Sequence, residues 1–366
     1  MHIVICGGGV IGTCVAFFLA RRGAEVTVIE RASVACAASG KSGGFLALDW
    51  CDGSPLEPLA RRSFELHAEL DDTLDADWGY RRLDTFGLLA SDSRDFSGYR
   101  QLPTPDWLGG ETAIHGQLGT PRSTAQVHPG DFTKAMMRAA EDHGARLVHG
   151  AVDGLVMADA GARVGGVSVD GQALEADAVV IAMGPWSILA SNWLSLPIVH
   201  GLKGHSFVFR YQPPDDPSAL FVEYEARRGE VDSPEVFPRT DGTTYVCGAR
   251  GLDPLPVDPN DIGIEAEPAD RLLRQIQHFA PELGASEIIA SQACYRPVTE
   301  DGLPLIGGVS GVAGAYVATG HSVWGILNAP ATGEAMAELI LDGEASLDLS
   351  AFSPDRLKPL DGVEVG

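Results

Sequence analysis

The sequence is short of positive charge and has no long apolar run. Its 26 Lys and Arg residues stand against 50 Asp and Glu residues, so the formal net charge is −24 at pH 7. Nucleic-acid binding needs cationic patches that neutralise phosphates, and we therefore expect no nucleic-acid partner. No run of 18 or more apolar residues occurs, so no membrane span is predicted. The first strand pattern starts at residue 2 and leaves no room for a signal peptide, which predicts a cytoplasmic protein.

Cysteine is also scarce, and its spacing argues against a metal site. The six cysteines include no C-x-x-C pair and no other spacing typical of metal ligands. We therefore expect reduced thiols and no bound metal. The 366 residues are enough to bury a large core, in one large domain or in two closely joined ones.

The first 30 residues carry the pattern of a complete βαβ unit. Residues 2–6 (HIVIC) are rich in β-branched side chains, as in a strand buried on both faces. Apolar residues at helical spacing follow over 10–22, and Gly23 is a C-terminal stop signal. Residues 25–29 (EVTVI) predict a second strand that leads into Glu30.

The turn between the first strand and the helix, GGGVIG, predicts a dinucleotide site. Gly7, Gly9 and Gly12 fit the G-x-G-x-x-G pattern. Its first glycine permits the tight turn, its second lets the backbone approach a pyrophosphate, and its third lets the helix pack against the strand. Glu30, 18 residues after Gly12, can accept hydrogen bonds from both ribose hydroxyls of an adenosine. From these residues alone, NAD and FAD are both open.

The rest of the chain alternates between two kinds of sheet. Helices are predicted over 55–74, from Pro129 to the stop at Gly144, and over 268–279, whereas the glycine-rich segment 35–50 predicts a loop near the phosphates. Alternation around Gly and Asp-Gly turns predicts a β-meander that ends in an apolar strand over 178–182, and 196–290 predicts a mainly antiparallel sheet. A strand, a glycine turn and a long helix close the chain, as in a return to the first domain. The predicted fold class is therefore α/β, with a Rossmann-like domain of parallel sheet and β-meander interleaved with an α+β domain on an antiparallel sheet.

Four further motifs, taken with GGGVIG and Glu30, resemble one family over nearly the whole chain. These motifs are ASGKSGG (38–44), VVIAMGPWS (179–187), YRPVTEDGLPLIG (295–307) and ATGHSVWGILNAPATGE (318–334). In this order they resemble the D-amino-acid-oxidase-like superfamily of FAD-dependent enzymes, within it the glycine oxidase and sarcosine oxidase group. Segments 201–206 and 234–248 differ from well-characterised glycine oxidases and indicate a separate branch. Because this lobe forms the substrate pocket in the family, the substrate stays open.

The resemblance implies a domain division and a cofactor, FAD held without a covalent bond. The FAD-binding domain is expected to comprise 1–48, 125–195 and 291–346, the substrate domain 49–124 and 196–290, and the C-terminal tail 347–366. The implied cofactor contacts are Gly7, Gly9, Val10, Ile11, Gly12, Glu30, Arg31, Ser39, Lys41, Ser42, Gly43, Gly44, Val152, Gly184, Trp186, Arg296, Gly320, His321, Gly325 and Ile326.

The resemblance also implies that Arg296 clamps a substrate carboxylate, which a guanidinium can bind with two parallel hydrogen bonds. A structural ion pair with an acidic residue is the alternative. Tyr245 either donates a hydrogen bond to the same carboxylate or only packs, and His321 is expected to form the pocket wall. Cys294 resembles, by position, the cysteine that bonds covalently to flavin in some relatives, but the residues after it predict a packed thiol. Lys203, Glu235 and Arg239 are either surface charges or readers of a second polar group.

The implied reaction is oxidation of the carbon–nitrogen bond of an amino acid or secondary amine, with hydride transfer to flavin N5 and hydrolysis of the imine to a keto acid and an amine. The partners would be that small molecule and an electron acceptor, either O₂ or another carrier. The alternatives are a flavoprotein of the same fold that acts on a macromolecule, as tRNA-modifying members do, and a noncatalytic FAD-binding module. The net charge disfavours the former.

Overall fold

The structure is a computed structural model and describes residues 1–99, 102–109, 111–214, 218–227 and 230–360. Helices in these ranges are α1 (Val10–Arg21), α2 (Ala38–Lys41), α3 (Glu57–Thr73), α4 (Pro129–Asp142), α5 (Ala266–Phe279), α6 (Pro281–Gly284) and α7 (Gly325–Asp342). The strands are β1 (His2–Cys6), β2 (Glu25–Glu30), β3 (Phe45–Ala47), β4 (Arg81–Arg82), β5 (Thr85–Ser91), β6 (Ala113–Gly119), β7 (Thr124–Gln126), β8 (Arg146–His149), β9 (Val152–Ala158), β10 (Arg163–Val169), β11 (Gln172–Glu175), β12 (Ala178–Ile181), β13 (His200–Phe209), β14 (Ala219–Arg227), β15 (Glu230–Asp232), β16 (Glu235–Pro238), β17 (Thr244–Arg250), β18 (Ile288–Val298), β19 (Leu305–Gly308) and β20 (Ala315–Thr319).

The first sheet is a six-stranded, mostly parallel sheet with both faces covered. Its strand order is β19-β20-β12-β1-β2-β8, and only β19 runs antiparallel to its neighbour. Alternate residues of β1 point to opposite faces: Ile3 and Ile5 pack with helices α1, α4 and α7, whereas Val4 and Cys6 pack with the meander β9–β11. Burial on both faces explains why these strands read as continuous apolar runs.

The second sheet is eight-stranded and mostly antiparallel. Its strand order is β18-β13-β17-β16-β14-β5-β6, with β15 paired to β14, and the pair β14–β5 is parallel. One face packs against α5 through Leu272, Ile276 and Phe279. The opposite face is turned toward the first sheet. Short strands β3, β7 and β4 form a third sheet.

The predicted fold class is confirmed, with one local difference. The opening βαβ unit, the β-meander, the long last helix and the antiparallel sheet all form. The segment predicted as a loop over 35–50 instead contains the one-turn helix α2 and the strand β3, which pairs antiparallel with β7. A strand of three residues is too short to produce a periodic signal. β18 extends across the predicted boundary at residues 290 and 291, and the domain division itself stays a prediction.

The six cysteines are free thiols. Within the described ranges, no helix combines the length and apolar character needed to cross a membrane.

Candidate functional site

One continuous cavity runs from the first sheet to the second. It begins at the carboxyl ends of β1, β2, β12 and β20, where the strand order of the parallel sheet reverses between β1 and β12. Ligands of open parallel sheets bind outside the carboxyl ends at such a switch point. The cavity ends on the face of the second sheet that α5 does not cover.

The glycine turn after β1 forms the start of the cavity, and its three glycines have different roles. Gly7 has φ +114°, and a Cβ there would lie 2.5 Å from the Ala182 carbonyl oxygen. A Cβ on Gly12 would lie 2.0 Å from the Gly7 carbonyl oxygen, so Gly12 allows close helix packing and does not itself line the cavity. Gly9, Val10 and Ile11 line it. The side-chain oxygen of Ser39 accepts a hydrogen bond from the Val10 N–H at 2.9 Å.

Glu30 lies at the end of β2, is 9% exposed, and is held by backbone donors on both oxygens. The Gly8 N–H donates to Oε2 at 2.8 Å, and the Ala32 N–H donates to Oε1 at 2.9 Å. The carboxylate therefore ties the glycine turn to the second strand and still lines the cavity. Arg31 and Val152 line the same end, and the Arg31 guanidinium donates to the Val257 carbonyl at 2.8 Å.

The segment around α2 borders the middle of the cavity and is fixed from the second sheet. Ser42, Gly43 and Gly44 line the cavity, and Gly44 has φ +77°. The Tyr245 hydroxyl donates to the Lys41 carbonyl at 2.8 Å, and Arg239 donates to the Ser42 carbonyl at 3.2 Å.

These contacts bear on three predicted residues. Tyr245 is buried and lines the cavity, but its proton is engaged by backbone, which makes it a residue that positions this segment. The Lys41 ammonium lies 3.5 Å from the Ala293 carbonyl and does not line the cavity. Arg239 is buried and is not a surface charge.

Two further turns complete the cofactor side of the cavity. Gly184, with φ +54°, and Trp186 follow β12, and the Trp186 indole N–H donates to the Pro256 carbonyl at 2.7 Å. Gly320, with φ +80°, and His321 follow β20. Gly325 and Ile326 begin α7, whose N-terminus faces the cavity. A helix N-terminus favours negative charge.

His321 is a buried, neutral imidazole. Its Nε2 lies 3.1 Å from the Thr332 hydroxyl, and burial lowers its pKa to about 3. Its Nδ1 has no partner within the described chain. His321 lines the cavity, and this nitrogen is a buried polar atom whose hydrogen bond is not made within the described chain.

Burial of His321 and His67 predicts a loss of stability in mild acid. Burial lowers the pKa of His67 to about 4, whereas an unfolded histidine titrates near 6.5. As pH falls from about 6.5 to about 5, the unfolded chain gains protons that the native state does not, so each histidine lowers the free energy of unfolding by up to about 2 kcal/mol. Urea unfolding at both pH values measures this. His67→Gln should reduce the difference between the two pH values, and the exposed control His143→Gln should not; equal differences in parent and His67→Gln would contradict the prediction.

Arg296 reaches into the cavity from β18 without a fixed partner. Within the described ranges the Arg296 side chain makes no hydrogen bond and no ion pair within 4 Å, and it is exposed to the cavity. The guanidinium lies over Gly204, where an added Cβ would be 3.4 Å from Nη2. The structural ion pair considered as the alternative is therefore absent from this part of the chain.

The neighbours of Arg296 differ in their surroundings. Lys203 is 4% exposed and pairs with Asp253 at 2.7 Å and Glu265 at 3.1 Å, so it is a buried structural cation and not a surface charge. Glu235 lines the cavity and accepts a hydrogen bond from the Cys247 thiol at 3.4 Å. Burial raises the pKa of Glu235, and the Arg296 charge opposes that shift.

Four aromatic side chains that line the cavity were not predicted from the sequence. Their ring centroids lie 4.8 to 5.7 Å apart, and we call them the aromatic wall: Phe45, Trp50, Phe221 and Phe237. They come from three distant segments of the chain, so no local pattern joins them. The alternation in ALFVEY and EVFP could have indicated that Phe221 and Phe237 share a face with Glu235.

Cys294 lines the cavity two residues before Arg296, and we predict that it does not bond to the cofactor. Burial raises the pKa of its thiol, which disfavours the thiolate needed for covalent attachment. Acid precipitation of the purified protein should leave FAD in the supernatant. Flavin that stays in the pellet of the parent protein but not of Cys294→Ala would contradict this.

The fold and cavity define a dinucleotide-dependent oxidoreductase. The glycine turn, the anchored Glu30 and two buried polar atoms without partners in the described residues, Ser42 Oγ and His321 Nδ1, fit a cofactor that extends along the cavity. The chain matches the DAO family, described as FAD dependent oxidoreductase, over residues 2–339. It belongs to this family. FAD is therefore its cofactor, and the choice that the glycine turn left open is settled.

Individual relatives agree with this assignment over nearly the full length. A glycine oxidase from Geobacillus kaustophilus is 30% identical, with 99% of this chain and 98% of that protein covered. An oxidoreductase from Schizosaccharomyces pombe is 31% identical, with 95% and 97% covered. The crystal structure of glycine oxidase from Bacillus cereus has a TM-score of 0.76 at 26% identity, with 94% of this chain and 98% of that chain covered.

Proposed function

We propose that this protein oxidises the carbon–nitrogen bond of an amino acid, or of a secondary amine that carries a carboxylate. The observation that carries the proposal is Arg296, a guanidinium that faces the cavity with no ion pair in the described chain. Such a group matches a carboxylate with two parallel hydrogen bonds. Because the side chain is exposed to the cavity, its donors are free to bind a ligand carboxylate.

The proposed cofactor contacts follow the cavity from one sheet to the other. Gly9, Val10 and Ile11 would face the pyrophosphate, Glu30 the ribose, and Ser42 to Gly44 the flavin. The bound cofactor would supply a hydride acceptor for the carbon next to the nitrogen; the nitrogen would first give up its ammonium proton, and water would then hydrolyse the resulting imine to a keto acid and an amine. FAD reoxidation requires O₂ or another carrier.

The residues around Arg296 would orient the substrate and keep the site apolar. Arg296 would hold the carboxylate, and this would fix the position of the adjacent carbon in the cavity. Tyr245 and Arg239 hold the Lys41 and Ser42 carbonyls, so the segment beside the substrate cannot shift freely. His321 stays neutral above about pH 5, because its pKa is about 3, and it adds no charge that would compete with Arg296.

The glycine oxidases among the relatives support an amino-acid substrate for this chain as well. A macromolecular substrate is disfavoured by the net charge of −24, and a noncatalytic module by membership of an oxidoreductase family. Neither alternative accounts for a cavity-facing arginine without a partner.

A screen of candidate substrates for their ability to reduce the flavin tests the proposal. The holoenzyme is mixed anaerobically with D- and L-amino acids and N-alkyl glycines, each beside the matching amine that lacks the carboxylate. We expect bleaching of the flavin absorption by at least one acid and by none of the matched amines. Bleaching by the amines alone would contradict the carboxylate clamp. Oxygen consumption, compared with reduction of an artificial acceptor, then identifies the class of electron acceptor.

A further inference from the structure

The wall of the cavity contributed by the second sheet holds a carboxylate that lacks a cationic partner. Glu235 begins β16, and its side chain faces the cavity. In the described chain it forms no ion pair within 4 Å, and its hydrogen bond comes from the weak thiol donor of Cys247. A carboxylate in such surroundings is stabilised by any cation that enters the cavity.

Aromatic rings surround this carboxylate on the same face of the sheet. Phe221 lies directly opposite Glu235 in the ladder between β14 and β16, and Phe237 is two residues further along β16. Both belong to the aromatic wall, which Phe45 and Trp50 complete. Aromatic faces attract organic cations, and a neighbouring carboxylate strengthens that attraction. The wall therefore suits an ammonium that carries alkyl groups.

Arg296 lines the same cavity as Glu235, but the charged groups of the two residues are farther apart than in an ion pair. No atom pair of Glu235 and Arg296 lies within the 4 Å limit of a salt bridge, yet both residues line the same cavity, and the Arg296 charge opposes the rise that burial causes in the pKa of Glu235. The two charges are therefore near each other and separated. A cavity with one cation and one anion held apart is complementary to a zwitterion.

We propose that Glu235 binds the ammonium group of the substrate while Arg296 binds its carboxylate, and that alkyl groups on the nitrogen pack against the aromatic wall. The proposal rests on the proposed function, since it assigns the second half of the same substrate. It makes Glu235 a specificity-determining residue, which favours acids that carry an ammonium group over acids that do not. Carboxylic acids without the ammonium should bind only through Arg296.

Two unreactive carboxylates of the same shape test the proposal by binding alone. Trimethylglycine has a quaternary ammonium, and in tert-butylacetate a carbon atom replaces that nitrogen. Each is titrated into the holoenzyme, and the shift in the visible spectrum of FAD reports the dissociation constant. The quaternary ammonium has no N–H to donate and is attracted only by the carboxylate charge and the aromatic faces, so we expect trimethylglycine to bind about two- to thirtyfold more tightly.

Variants assign that preference to Glu235. Glu235→Gln keeps the shape and the aromatic wall, and it should reduce the preference without weakening tert-butylacetate binding. Glu235→Asp keeps the charge and should retain part of it. The exposed control Glu344→Gln should behave like the parent.

The outcomes separate this proposal from the proposed function. Equal binding of both probes to the parent would overturn the ammonium site and leave the carboxylate clamp intact. Binding of neither probe would contradict the clamp, and with it both proposals. A preference that is as large in Glu235→Gln as in the parent would remove Glu235 from the site. The comparison of the two probes in the parent protein needs no variant, so it tests the proposal even where Glu235→Gln fails to fold.

Discussion

Arg296→Ala is expected to lower kcat/KM for the identified acid by about 10²- to 10⁴-fold, while FAD stays bound. Two charge-assisted hydrogen bonds of about 1.5 to 3 kcal/mol each are lost with the guanidinium fork. Arg296→Lys keeps the charge but only one directed donor, so about ten- to a hundredfold is expected. Steady-state kinetics together with the flavin absorption of each variant measure both effects.

Arg210→Ala is the matched control for Arg296. Arg210 follows β13 in the same sheet and forms an exposed ion pair with Glu287 at 2.6 Å, and such pairs contribute little. It should leave kcat/KM nearly unchanged. An Arg296→Ala enzyme that retains FAD and the parental kcat/KM would exclude Arg296 from substrate binding. One that loses FAD would instead indicate a structural role.

Glu30→Ala is expected to weaken FAD binding by about 10²- to 10⁴-fold. The substitution removes the two proposed hydrogen bonds to the ribose hydroxyls, at about 1.5 to 3 kcal/mol each, and it leaves the Gly8 and Ala32 N–H groups without their acceptor. The glycine turn before α1 then loses the hydrogen bond between Gly8 and Glu30 that connects it to β2. Titration of the apoprotein with FAD, followed by quenching of flavin fluorescence, gives the dissociation constants.

Glu25→Ala is the matched control for Glu30. Glu25 begins the same strand, and its ion pair with Arg146 at 2.7 Å lies between side chains that are about half exposed or more. Its loss should leave FAD affinity within about twofold, because exposed pairs contribute about 0 to 1 kcal/mol. A Glu30→Ala protein with parental affinity for FAD would show that the carboxylate does not organise the site.

The cofactor side of the cavity could be predicted because its parts are local. A strand, a turn of three spaced glycines, a helix and a terminal glutamate lie within 29 residues, from His2 to Glu30, and each element has its own periodicity or stop signal. The structure adds what the pattern did not contain: Glu30 also fixes the turn through Gly8, and Gly12 serves packing alone.

The substrate side could be predicted only in part. Arg296 stands in a motif that resembles a known family, so its position was evident, but its lack of an ion pair in the described chain was not. Tyr245 was equally consistent with packing and with substrate binding, and only the structure shows that its hydroxyl donates to the Lys41 carbonyl. For Lys203 and Arg239 the sequence left two possibilities, surface charges or readers of a second polar group, because it does not show which charges a fold will bury.

The sequence by itself determined the α/β class, the dinucleotide turn and, through its ordered motifs, the family and FAD. These depend on residues near one another in the chain, whose spacing is fixed by the geometry of a helix or a strand. Only the tertiary structure placed Glu235, Arg296 and the aromatic wall around one space. They lie on strands and loops far apart in sequence, and alternation along each strand defines two faces without saying which face meets the cavity. Strand order and the packing of α5 made that choice, because α5 covers one face of the sheet and leaves the face that carries Glu235, Phe237 and Arg296 to the cavity.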